Sequence, residues 1–254
     1  MHVSDDDGVR TITFDRPEVL NAVTTDTAIE LAEAIEAAEP GEHVAIVLTG
    51  EGRAFSAGGD LEAMSDREET TEKAYTRLTE TFCRVVDAML GSRVPIVAAV
   101  NGDAIGAGFA LVVASDFAFA AESARFSAAF VRVGLVPDTG GSFLLPQVVG
   151  LRTAKDLAFT GRVIDAHEAA SLDLVNAVVE DEALSATVAD HVDTLRDQPT
   201  RTVGLAKRAL HENLGRHWRE ALDYEAHVQA LAYSTPEHAE GVAAFLEKRE
   251  PEFD

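Results

Sequence analysis

The feature that most limits how this chain can fold is a strand-loop-helix unit used twice. Val44 to Leu48 is a short apolar run that ends at Thr49-Gly50 and enters a glycine-containing loop, Glu51 to Met64. Pro95 to Val100 repeats the pattern, ending at Asn101-Gly102 and a second small-residue turn, Gly106-Ala107-Gly108. Apolar runs this short, bounded by turn residues, predict buried strands. Val9 to Phe14 alternates and is β-branched, which predicts another strand, and Thr24 or Thr25 is placed to cap an Ala-rich amphipathic helix running to about Ala38. A charged helix is expected over roughly Asp66 to Leu90.

Strands alternating with helices argue for an α/β sheet up to about Phe126. From Gly140 onward the pattern is nearly all helical, over Asp181 to Leu195, Thr200 to Leu214, His217 to Tyr233 and Pro236 to Lys248, with strand character only at Val175 to Val179. No Ser/Gly-rich linker divides the parts. The expected organisation is an α/β core over residues 1–195, followed by a helical region, 196–254, that packs on the core or on a neighbouring subunit.

Composition excludes several functions. Asp and Glu number 44 against 21 Lys and Arg, a formal charge of -23, and such a polyanion repels the phosphate backbones that nucleic-acid-binding proteins must neutralise. At 46% hydrophobic residues the chain still has enough apolar content for a real core. The basic residues divide into 17 Arg and 4 Lys, which predicts a halophilic protein, adapted to a cytosol of molar salt where the Debye length is about 3 Å. The single cysteine, Cys83, offers neither an intramolecular disulfide nor a metal cluster and points to a reducing, cytoplasmic setting. No basic segment precedes an apolar run at the N-terminus and no stretch approaches 18 uncharged apolar residues, so no membrane partner is expected.

Familiar catalytic patterns are missing: there is no G-x-S-x-G elbow, no phosphate loop and no H-E-x-x-H. Leu111 stands where the third glycine of a dinucleotide turn belongs, and the eight histidines are scattered and expected at the surface. No metal is expected. The two turns themselves, Ala54 to Leu61 and Asn101 to Gly108, present backbone N–H groups free of bulky side chains. They are either tight turns that need glycine or paired donors for the oxygen of a developing enolate.

Four segments carry a resemblance. R-P-E-V-L-N-A (Arg16 to Ala22), A-F-S-A-G-G-D-L (Ala54 to Leu61), V-N-G-D-A-I-G-A-G (Val100 to Gly108) and G-L-V-P-D-T-G-G-S-F-L-L-P (Gly134 to Pro146) resemble successive signatures of the crotonase (enoyl-CoA hydratase/isomerase) superfamily. A-F-L-E-K-R at Ala244 to Arg249 resembles the family's closing helix, so the likeness runs from about Val9 to Phe253. It implies an α/β spiral of β-β-α units with a C-terminal helical trimerisation region, an acyl-CoA thioester as substrate with no cofactor beyond that CoA, and homotrimers or dimers of trimers. The backbone N–H groups of Gly59 and Ala107 match the oxyanion-hole donors. Leu20, Ala22, Ala57, Gly58, Asp60, Leu61 and Gly106 fall along the implied substrate path. Phe245 and Lys248 match a Phe and a Lys that reach CoA on an adjacent subunit, although Lys248 also suits a helix C-terminus as a charge.

The sequence departs from the family's hydratases at both general acid/base glutamates. Ala110 stands three residues after the second donor, and Phe130 stands four before the glycine of G-L-V-P. Each such group contributes typically ~10²–10⁴-fold, so their loss weakens hydration severely. The remaining candidate is Asp138, which matches the aspartate of phenylacetate-route isomerases and of an aryl-CoA dehalogenase. A dehalogenase would also want an activating histidine in the first half, and His43 is poorly placed. Asp138 reads either as a proton shuttle or as an N-cap. Asp60 is expected to cap the helix after the first turn, and Asp103 to be a solvated loop acid. Phe126, Phe130 and Phe143 form either an apolar wall beside the substrate or plain core. The resulting reading is an enoyl-CoA isomerase, with a 2-enoyl-CoA hydratase and a non-catalytic CoA-thioester binder as alternatives.

Overall fold

The computed structural model of the chain describes residues 1–65 and 67–253. The chain opens with β1 (His2–Asp6) and β2 (Val9–Phe14), an antiparallel hairpin turned by Asp7-Gly8, both at positive φ. That Asp-Gly pair is the hairpin signal in the sequence, yet β1 itself is acidic and exposed along its length, so its composition gives no strand pattern. Helix α1 (Thr25–Glu36) follows, capped by the Thr24 hydroxyl, which accepts from the Thr27 N–H.

Next comes the repeated unit. β3 (Ala45–Gly50) leads directly to β4 (Ala54–Ser56), and then to α2 (Leu61–Ser65), α3 (Thr71–Leu78) and α4 (Arg84–Gly91), the last two joined by a π-helical turn at Thr79–Cys83. β5 (Ile96–Val100) leads to β6 (Asp103–Ile105) and α5 (Ala107–Ala114). β7 (Phe117–Ala121) leads to β8 (Arg125–Ser127), a 3-10 turn at Ala129–Val133 and α6 (Gly141–Thr160), which is broken at Gly150 by non-helical φ/ψ. The expected helix over Asp66 to Leu90 thus begins only at Thr71 after an irregular stretch, and Asp66 lies outside the described residues.

Each unit gives one strand to each of two sheets. The first has the order β1-β2-β3-β5-β7-β10, parallel from β2 onward; the second has the order β4-β6-β8-β9. β9 (Ile164–Asp165), α7 (Ala166–Ser171) and β10 (Ala177–Val179) complete both sheets. This is the β-β-α spiral implied by the resemblance. Successive residues of β3 and β5 enter opposite layers: Ile46, Leu48, Ile96 and Ala98 join the main core with α1, α4 and α5, whereas Val47, Val97 and Ala99 join a smaller one. Helix α8 (Leu184–Arg196), entered through a 3-10 turn at Asp181–Ala183, covers the smaller core with Leu184, Val188 and Val192. Two-sided burial is why these strands read as unbroken apolar runs.

Two asparagines brace the turn between β3 and β4. Asn101 donates to the carbonyls of Gly50 and Gly52 and accepts from the Gly50 N–H, while Asn21 donates to Glu51 and Ala54 and accepts from Arg16. Helices α9 (Thr200–Glu212), α10 (Trp218–Tyr233) and α11 (Pro236–Glu247) close the chain. Two histidines expected at the surface are instead packed. His43 is buried with Nδ1 accepting from the Glu39 N–H, and His191 lies against the rings of Phe117 and Phe119, where desolvation lowers its pKa.

The tie between α9 and the core is a buried ion pair. Lys207, 7% exposed, donates to Asp116 at 2.7 Å and to the Val94 carbonyl, and Asp116 also accepts from the Ile96 N–H at the start of β5. Burial pulls the Lys207 pKa down, and the adjacent Asp116 carboxylate opposes that shift. Removing one member leaves the other charge buried and unpaired. Lys207→Met is expected to cost about 3 kcal/mol, seen as a fall of roughly 6–12 °C in calorimetric Tm at molar KCl.

Candidate active site

The site is built where the two glycine turns meet. Leu20 and Asn21 both take left-handed φ, which aims the Leu20 carbonyl at the Ala57 N–H; Val23 then brackets the first turn, its N–H donating to Gly58 and its carbonyl accepting from Asp60. Ser56, fully buried, donates to the Asn21 carbonyl and accepts from the Gly58 N–H. Its role is therefore to shape the turn.

The second turn packs on the first backbone to backbone. A methyl on Gly108 would lie 2.4 Å from the Ser56 carbonyl oxygen, and one on Gly58, at φ +89, would lie 2.5 Å from the Ile105 oxygen and 3.1 Å from the Ala107 nitrogen. Only glycine permits this approach at both positions. It brings the Gly58–Gly59 peptide beside the first residue of α5. Among the described residues neither the Gly59 N–H nor the Ala107 N–H meets an acceptor.

Helix α5 strengthens that arrangement. All eight of its residues are buried and apolar, and its N-cap, Gly106, makes no side-chain bond to the first turn. The positive end of its dipole and its unpaired N–H groups therefore face the junction undiluted by solvent. Leu20, Ala22, Ala57 and Asp60 are half-buried around the junction and Leu61 is exposed, leaving an open approach on that side. The Asp60 carboxylate caps α2 through the Ala63 N–H at 3.0 Å and pairs with Arg16 at 2.9 Å, which hold its pKa down. Met64 Cε lies over Gly59, 2.4 Å from where a Cβ would stand.

Asp138 lies in the loop that leads into α6. A narrow crevice is lined by Val23, Leu31, Phe82, Ala107, Leu111 and Thr139, so the residue after Asp138 shares a wall with the Ala107 donor. Phe82 belongs to the π-helical turn, a feature often found at functional sites. Asp138 does not cap α6. The N-cap is Gly140, which makes no side-chain bond, and the Gly141 N–H goes to the backbone carbonyl of Asp138 at 2.7 Å. The carboxyl instead accepts the Thr139 hydroxyl at 2.9 Å. Burial pushes its pKa upward; the Thr139 hydroxyl, its own backbone N–H and the positive charge of Arg77 on α3 oppose the shift.

Where hydratase glutamates would stand, the surroundings are apolar. Ala110 is fully buried, and a methyl added at Gly141 would touch it at 3.6 Å. Phe130 is buried in the turn before Gly134. The three phenylalanines do not form one wall: Phe126 is core on β8, whereas Phe143 is 49% exposed on α6. Asp103, expected to be solvated, forms a two-pronged pair with Arg125 across β6 and β8. Phe245, 82% exposed, and Lys248, a left-handed C-cap, lie at the end of α11, on the surface of this chain. Thr139, Phe82, Arg77 and Met64 went unmarked in the sequence; only Thr139 left a trace, a β-branched residue wedged between Asp138 and Gly140-Gly141.

The enoyl-CoA hydratase/isomerase family model matches residues 4–254. The chain is 36% identical over 255 residues to the 1,2-epoxyphenylacetyl-CoA isomerase of Escherichia coli K12, covering 97% of this chain and 95% of that one. It is 34% identical over 242 residues to a crotonyl-CoA hydratase of Syntrophomonas wolfei, covering 94% and 92%. The crystal structure of a Mycobacterium smegmatis enoyl-CoA hydratase superposes with a TM-score of 0.90 at 32% identity, over 99% of this chain and 98% of that one.

The close approach of the turns has a direct test. Gly108→Ala is expected to destabilise the fold by about 1–3 kcal/mol, because the added methyl must push Ser56 away. Gly91→Ala, at a position with nothing within 4 Å, serves as the control and should leave the calorimetric Tm unchanged or slightly raised.

Proposed function

The chain belongs to the enoyl-CoA hydratase/isomerase family, and from that premise we propose that it shifts a double bond in an acyl-CoA thioester. The reaction converts a 3-enoyl-CoA to a 2-enoyl-CoA, or carries out the related isomerisation of an epoxyphenylacetyl-CoA-type substrate. The observation that carries this reading is the carboxyl inventory of the site: Asp138 is uncommitted to capping and its neighbour Thr139 shares a crevice with Ala107, while Ala110 and Phe130 are apolar.

The thioester oxygen accepts from the Gly59 and Ala107 N–H groups at the positive end of α5. The Asp138 carboxylate removes a proton from the carbon alpha to the thioester. The bonding pair moves into a dienolate whose charge rests on the oxygen, and the same carboxyl returns the proton at the gamma carbon as the double bond re-forms between the alpha and beta carbons. Preorganised N–H donors of this kind are worth roughly 10²–10³ in rate each. The step neither consumes water nor calls for a second acid, and it needs no cofactor beyond the CoA of the substrate.

Oligomerisation belongs to the same proposal. Val136, Phe143, Leu151 and Phe159 are large, apolar and exposed, as are Phe245 and Leu246, which suits a homotrimer or a dimer of trimers better than a free subunit. Phe245 and Lys248 would then face CoA held by a neighbour. Among the described residues no helix is long and apolar enough to cross a membrane. A cytoplasmic, high-salt setting is inferred from the lone Cys83 and the charge of -23.

A panel of CoA thioesters in molar KCl, read by mass and by double-bond position, tests the reaction. Isomerisation of 3-enoyl-CoA with feeble hydration of crotonyl-CoA is expected; efficient hydration would favour a hydratase, and binding without turnover a non-catalytic binder. Asp138→Asn should lower kcat at least ~10²-fold, and undiminished turnover sinks the assignment. Because the carboxylate form is the base and burial raises its pKa, wild-type activity should fall as pH drops toward a limb lying above the ordinary aspartate value of 3.8. CoA brings further negative charge to this acidic chain, so calorimetric affinity should rise between 0.1 and 2 M KCl as repulsion is screened.

A further inference from the structure

Thr139 breaks a local rule. Its φ is +50, in the left-handed region, and the next residue, Gly140, is also left-handed at +75. Glycine suits such a position, whereas a β-branched residue there is an outlier. Thr139 is also 3% exposed, so its hydroxyl needs a partner inside the protein. That partner is Oδ1 of Asp138, at 2.9 Å. Residues held against their backbone preference cluster where the strain serves a site.

The same residue has a second set of neighbours. Thr139 lines the crevice shared with Ala107, Phe82 and Leu111, and its β-branch restricts χ1, so the apolar contacts and the direction of the hydroxyl are set together. Serine would keep the hydroxyl with less restraint, and glycine would relieve the backbone but offer no donor. Among the described residues no other side chain donates to the Asp138 carboxyl.

We propose that Thr139 is the positioning residue of Asp138: its hydroxyl fixes the carboxylate through Oδ1 and leaves Oδ2 to carry the proton between the alpha and gamma carbons of the substrate. The inference rests on the reading of Asp138 as the proton shuttle. The charge acting on that carboxyl comes from Arg77 on α3, itself paired with Glu69. The other elements packed on the turn present apolar groups: Val86 from α4, Ala110 from α5 and Leu144 from α6. Loss of the hydroxyl therefore leaves burial opposed only by the backbone N–H and Arg77, and the Asp138 pKa moves further up.

The test compares Thr139→Val, Thr139→Ser and Thr139→Gly with the wild type in 3-enoyl-CoA isomerisation. Thr139→Val should lower kcat by about 10- to 100-fold, the range for losing a hydrogen bond to a charged group, with KM little changed and the acid limb of kcat moved to higher pH. Thr139→Ser should recover most of the rate and return the limb. Thr139→Gly should unfold at no lower temperature than the wild type and still show the Val-like loss, which separates positioning from stability. Wild-type kcat and an unmoved limb in both Val and Gly variants overturn the proposal, as does a Ser variant as slow as Val. Asp138→Asn keeps the two readings apart: full activity there removes the shuttle and Thr139's role together, whereas an inactive Asn variant beside an unimpaired Val variant removes only the positioning role.

Discussion

The contact between the two glycine turns is what the rest of the structure depends on. Gly108 lies against the Ser56 carbonyl and Gly58 against that of Ile105, at distances a methyl group would not allow. These contacts join the end of β4 to the start of α5, two points on different turns of the spiral. They therefore fix the spacing of the small sheet and, in the same stroke, bring the Gly58–Gly59 peptide beside Ala107. Fold and site share one constraint.

Burial decides the chemistry available at that junction. Helix α5 is apolar on every side, so its free N-terminal N–H groups act in a dry environment, where electrostatic interactions weaken little through screening. The same dryness raises the Asp138 pKa, and the Thr139 hydroxyl and Arg77 temper that rise. Ala110 and Phe130 supply no further acid, which is why the proposed reaction assigns both proton transfers to one group.

The acidic surface plays a separate part. Many arginines are already taken by carboxylates: Arg16 by Asp60, Arg84 by Glu36, Arg125 by Asp103, Arg162 by Asp156 and Glu168, and Arg249 by Glu240 and Glu247. Exposed pairs of this kind contribute little stability, about 0–1 kcal/mol each. Their consequence is that these guanidinium charges are partly neutralised where they stand. Arg16, beside the first turn, is committed to Asp60.

The sequence by itself determined the elements whose local signals were strong. β2 was legible from its β-branched alternation, β3 and β5 from apolar runs, α1 and α8 to α11 from helical spacing and caps, and the two turns from their glycines, because two-sided burial of β3 and β5 and left-handed backbone in the turns each demand particular residues. It was silent on β1, whose charged residues carry no strand pattern, and on the delayed start of α3, since a polar run looks the same in a loop as on a helix. The tertiary structure alone decided what the individual side chains do. Asp138 could equally have been a cap until the helix was seen to begin at Gly141 behind a Gly140 N-cap; Asp103 looked solvated until β8 brought Arg125 across to it; and His43 and His191 looked like surface residues until their partners were in place. Pairing and desolvation depend on groups that only folding brings within a few ångströms, and where a helix begins depends on the path the backbone takes into it.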